Sequence, residues 1–180
     1  MAAATMSLLT GCSSAVQTET VQASTAEETE NTGETENTEE VIGLKDLADL
    51  LGMKDEETAE MFGGGEENWT ADHSFYIGRI FEVGLYGENY QMYTTCGEDG
   101  TVESVALWIV SGERDVTEEE AEEWTGRITD MMGTEPINAE GVSEGGSKNR
   151  RWIADGKNVS MNQMKDILTI NFQIAKGELK

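Results

Sequence analysis

Apolar residues recur with helical or strand periodicity from Val41 onward, whereas residues 13–40 show no such pattern. Leu44, Leu47, Ala48 and Leu51 follow helical spacing and stop at Gly52, a residue suited to the position just past a helix. Asp55 is placed to cap a second short helix through Ala59 and Phe62, ended by Gly63-Gly64-Gly65. The two predict an N-terminal helical hairpin. Period-two patterning then predicts strands over 74–78, 80–86, 89–96 and 101–110, with Asp99-Gly100 turning the chain between the last two. The run Val102 to Val110 is apolar on both sides, Val105, Leu107 and Ile109 against Ala106, Trp108 and Val110. That pattern predicts a central strand covered on both faces.

A longer helix is expected over 118–132. Thr117 and Glu120 have capping-box spacing, and Glu118, Glu119, Glu122 and Glu123 crowd its positive end. Its apolar stripe is Ala121, Trp124, Ile128, Met131 and Met132, closed by Gly133 and Pro136. A glycine-rich loop over 138–147 leads to strands near 149–155 and 158–163, joined at Asp155-Gly156. The last strand, 167–174, alternates Leu168, Ile170, Phe172 and Ile174 inward with Thr169, Asn171 and Gln173 outward. The expected fold class is α+β: a helical hairpin, then an antiparallel sheet with one longer helix packed on one face.

Charge divides the chain differently. The 180 residues carry 36 acids against 12 Lys and Arg, a formal charge of −24. Such a balance argues against bare nucleic acid or anionic lipid as partners, since both are polyanions that need a basic surface. Two Cys exclude a disulfide scaffold and a four-Cys metal site, and no stretch reaches the roughly 18 apolar residues of a membrane span. Residues 13–40 hold eight Glu and no Lys, Arg or aromatic residue, a composition that cannot offset its ordering entropy and reads as disordered linker. The remaining 28 acids and 12 bases leave −16 on a single domain over 41–180.

The chain before that linker ends in Leu9-Thr10-Gly11-Cys12 after a run of small and apolar residues. This resembles the lipobox of bacterial lipoproteins. The resemblance implies a leader over 1–11, a lipid anchor on Cys12 that attaches the protein to a membrane, and an extracytoplasmic domain. A secretory leader opens with a basic segment. Residues 1–11 hold no Lys or Arg, so a start upstream of Met1 is expected. A flexible linker of this length reaches on the order of 30 Å. With Cys12 lipidated, Cys96 has no partner and is expected as a buried, inert thiol. From Leu51-Gly52 through Phe62-Gly63 and the strands that follow, the domain also resembles small domains of β-lactamase-inhibitor-like proteins and of related outer-membrane assembly lipoproteins. That likeness implies protein binding by analogy of fold alone.

No catalytic constellation is legible. His73 is the only histidine, so zinc or Ser-His-Asp chemistry lacks partners, and a turn role is expected. Gly63-Gly64-Gly65 lacks the Lys of a phosphate loop and is flanked by Glu66 and Glu67. Glu98-Asp99-Gly100 lacks the spaced ligands of a calcium loop. Cofactors and metals are therefore not expected. Two features stay open. Lys148, Arg150, Arg151 and Lys157, beside Trp152, either dock an acidic partner or the linker, or form a plain solvated hairpin. Trp69, Phe75, Tyr76, Phe81, Tyr86, Tyr90 and Tyr93 are mostly core, with one or two expected to project outward. The expected function is a non-catalytic lipoprotein with a domain that binds an extracellular or envelope protein. Its alternatives are a structural or accessory subunit of an envelope complex, or a carboxylate-based hydrolase.

Overall fold

A computed structural model describes residues 42–138 and 146–175. The leader, Cys12, the acidic linker and most of the 138–147 loop lie outside them. The chain runs α1 (Leu44–Asp49), α2 (Asp55–Met61), β1 (Glu66–Trp69), β2 (Tyr76–Leu85), β3 (Glu88–Cys96), β4 (Val102–Ser111), α3 (Glu118–Met132), β5 (Ile137–Asn138), β6 (Lys148–Ala154), β7 (Lys157–Gln163) and β8 (Ile167–Ile174). Among the described residues eight strands form one antiparallel sheet in the order β1-β2-β3-β4-β8-β7-β6-β5. The fold is α+β.

Two meanders meet at the centre of that sheet. β1 to β4 build one half in sequence order, and α3 then carries the chain away before β6, β7 and β8 return to the seam. Across it Leu107 pairs with Ile170 and Val105 with Phe172, all four at 0% exposure. Buried side chains occupy one face of the sheet: Phe81, Val83 and Leu85 from β2, Met92 from β3, Val159 and Met161 from β7, and Trp152 from β6. Leu44, Leu47 and Ala48 of α1 and Trp124 and Ile128 of α3 join the same cluster. Each fully buried side chain of this size contributes roughly 1.5–3 kcal/mol.

Local chemistry explains the element ends. Thr117 Oγ1 accepts from the Glu120 amide at 3.1 Å, and Gly133 closes α3 in the left-handed region at φ 63°. The capping box is only half made, because the Glu120 carboxylate turns to Arg114 at 2.6 and 2.8 Å. Asp155 and Gly156 both have positive φ, as the tight turn between β6 and β7 requires.

Several expectations need correction. The strands expected over 74–78 and 80–86 are one strand, β2, and β1 had no counterpart in the pattern. Asp55 does not cap α2; Lys54 holds that position, and the Asp55 carboxylate turns toward β2. β4 is central, yet among the described residues only one of its faces is covered: Val105 and Leu107 are buried, while Ala106 and Trp108 are half-buried on the other side. A bulge between Trp108 and Val110 lets Ile109 and Val110 both reach the interior. Ile174 is 50% exposed because β8 runs past the core at its end.

Gly78 of β2 sits tight against Thr94 of β3. A Cβ there would lie 2.3 Å from the Thr94 carbonyl oxygen, a backbone atom that cannot swing aside. Gly78→Ala is therefore expected to lower unfolding free energy by about 2 kcal/mol or more. A urea midpoint that falls at unchanged slope would show this, and a loss under about 0.5 kcal/mol would refute it.

Candidate functional site

The face of the sheet turned away from the helices forms the candidate site. Strand alternation and register place three rows of five residues on it. One row is Gln91, Trp108, Thr169, Asn162 and Asn149. The next is Tyr93, Ala106, Asn171, Ser160 and Arg151. The third is Thr95, Ser104, Gln173, Asn158 and Ile153. No described helix lies over them, and most are half-buried by one another. Arg151 is the one charged residue in these fifteen positions, and Glu82 of β2 extends the first row beyond Gln91.

The side chains are organised before any partner arrives. The Asn149 amide donates to Asn162 Oδ1, and Arg151 Nε donates to Asn158 Oδ1 at 2.6 Å. Tyr93 donates its hydroxyl to Gln91 Oε1 at 3.0 Å, and its ring lies 6.0 Å from that of Trp108. An open groove of about 560 Å³ crosses one end, lined by Thr95, Glu103, Ser104, Arg151, Asn158, Gln173 and Ile174. Amides and hydroxyls each both donate and accept, so this surface offers paired hydrogen bonds without net charge.

On the opposite side, a second polar cluster locks α2 to the sheet. Asp55, 4% exposed, accepts from the Tyr76 hydroxyl at 2.6 Å and from Arg79 Nε at 2.9 Å. Arg79 also donates to the Gly64 carbonyl at 3.0 Å, using the three-glycine stop after α2 as an acceptor. Cys96 Sγ approaches Asp55 Oδ1 at 3.5 Å. Burial first, then the Asp55 charge, pushes the Cys96 thiol from 9.0 up to about 12. Tyr76 is raised by the same two causes, and Tyr90 is pushed up to about 12 by burial and Glu88.

The cationic residues picked out in the sequence do not form one patch. Lys148 pairs with Glu118 at 2.8 Å and Arg150 with Glu122, both on α3. Lys157 pairs with Asp49 of α1. These contacts hold the Asp49 and Glu118 carboxyls below their ordinary values, through hydrogen bonds from Lys157 and Lys148 respectively. Arg151 points the other way, into the open rows. Trp152 is fully buried and donates to Thr129 Oγ1 at 3.1 Å, so it offers no ring to a partner.

The aromatic residues scatter likewise. Phe81 is core, Tyr90 and Tyr86 pack edge-on to Trp124, and Arg127 lies over the Tyr86 and Trp124 rings. Tyr93 reaches the open face, whereas Trp69 and Phe75 are exposed beside the β1–β2 turn. His73 sits in that turn at φ 54°, 6.5 Å from the Trp69 ring. Among the described residues no three His, Cys, Asp or Glu side chains converge as metal ligands. The open rows were not singled out by sequence reasoning, yet their signal was present. Outward positions on β7 and β8 read Asn158-x-Ser160-x-Asn162 and Thr169-x-Asn171-x-Gln173, polar but uncharged.

Comparison with known protein families, with curated proteins and with solved structures finds no match to this chain. Its function is therefore argued from the site.

The Cys96 environment makes a direct prediction. With its thiol raised to about 12, alkylation of Cys96 at pH 8 is expected to run about a thousandfold slower in the folded protein than in urea. Peptide mass spectrometry separates Cys96 from Cys12, and equal rates would contradict the shift. A raised folded value also stabilises the fold fully below pH 9. That contribution should fade as pH climbs toward 12, visible as a falling thermal midpoint.

Proposed function

We propose that this protein is a membrane-tethered, extracytoplasmic lipoprotein whose domain binds a partner and does not catalyse a reaction. In this reading residues 1–11 are the leader, Cys12 is lipidated, and the acidic linker through residue 40 is a spacer. The helical hairpin of α1 and α2, with α3, forms the closed back of the domain over 41–180. The observation that carries the binding role is the set of three rows, uncharged but for Arg151, presented without a covering helix among the described residues. A hydrolase built on carboxylates needs two acids converging on one cavity. The groove on this face is lined by one acid, Glu103, and by Arg151. A second reading, an accessory subunit of an envelope complex, draws on Phe75 and Trp69, 71% and 39% exposed, as anchors for a neighbour.

The tether and the binding face are separately testable. Cys12→Ala is expected to move the protein from the membrane fraction to the soluble one, and unchanged fractionation would remove the anchor. A photo-crosslinking residue in place of Asn171 is expected to give a discrete adduct on intact cells. Adducts from Phe75 but none from Asn171 would favour the accessory-subunit reading.

A further inference from the structure

We infer that the open face is a docking platform for a neutral glycan chain, a proposal that rests on the binding role above and names its partner class. The domain carries −16, so a polyanion approaching it is repelled. The three rows contain one charge, Arg151, which is engaged with Asn158 at 2.6 Å. Glu103 lines the same groove and offsets Arg151, so a partner without net charge suits it.

Hydrogen bonding narrows the class further. An apolar partner would strand the amides and hydroxyls it covered, each at a desolvation cost of about 1–3 kcal/mol. A carbohydrate avoids that cost, because every hydroxyl both donates and accepts, as do Asn171, Asn158, Gln173 and Ser160. Sugars also present an apolar C–H face, and Trp108 with Tyr93 supplies rings beside the amides to receive it. The groove of about 560 Å³ runs from β3 to β6, a shape suited to an extended chain. Asn149 is held by Asn162 and Asn158 by Arg151 before binding, which reduces the ordering cost.

The test is affinity electrophoresis of the full chain through gels containing hydroxyethylcellulose, dextran, soluble starch, mannan or, as an anionic control, polygalacturonate. Retardation is expected in at least one neutral gel and not in polygalacturonate. Trp108→Ala should weaken it roughly fivefold or more. Gln173→Glu should do the same by adding charge at an exposed position that leaves the core intact. Circular dichroism checks that both variants are folded. Migration unaffected by every neutral polymer overturns the inference, as does retardation that both variants preserve or that only polygalacturonate causes. If the Asn171 crosslink still captures a surface protein in that case, the glycan is wrong and the binding role stands. If neither is seen, both fall.

Discussion

The antiparallel pairing of β4 with β8 is the contact on which this architecture depends. Its register sets Val105 against Phe172 and Leu107 against Ile170, four side chains with no exposure at the middle of the core. The partners lie about sixty residues apart in the chain, so forming the seam carries a loop-closure cost that only the finished core offsets. Without it, each half would present an apolar strand with an unpaired edge. The excursion through α3 serves this closure. It takes the chain away from β4, so that β6 and β7 can lead β8 back against it. Because α1 and α3 place their apolar residues on the same side as the buried strand residues, the seam has one dry face and one wet face.

Charge is organised around that one-sidedness. The helices are rich in acids, and Glu118, Glu122 and Asp49 each meet a cation from β6 or β7. Exposed pairs of this kind contribute little free energy singly, around 0–1 kcal/mol. Their effect is positional: they hold the helix layer in register with the strands beneath. Asp55 is different, since it is buried and receives both Arg79 and Tyr76. Removing Arg79 would leave the Asp55 carboxylate without its cation in a dry place, which is far more costly than losing a surface pair. Most of the bases named here are thus drawn to the helix side, and Arg151 faces the other way.

The wet face carries few charges, and its chemistry follows from strand alternation. Side chains that cannot enter the core still cover one another, so amides and hydroxyls on adjacent strands fix each other's orientation. In the binding role proposed above, such a hydrogen-bonding surface on an acidic domain repels polyanions and disfavours partners that cannot satisfy its amides. In the proposed setting, the acidic linker extends the domain from the membrane while this face does the recognising.

Local patterns carried much of the fold. The helix over 118–132 and the strand over 167–174 stand where periodicity and caps put them, and Asp155-Gly156 turns the chain as that dipeptide should. These features depend on residues within a few positions of each other, and so the sequence by itself determined them, together with the α+β class. It also determined the division into an acidic segment and a moderately acidic domain. Tertiary structure alone decided which of two similar strand tryptophans was core: Trp152 is sealed beneath α3, whereas Trp108 faces outward beside Tyr93. It decided that Gly78 continues a strand because β3 passes close by, and that Asp55 serves Arg79 and not a helix cap. It sent Arg150 and Arg151 to opposite faces and gathered uncharged residues from five strands into one surface. Each of those outcomes depends on which distant segment lies alongside, and strand order is a property of pairing, which no local pattern encodes.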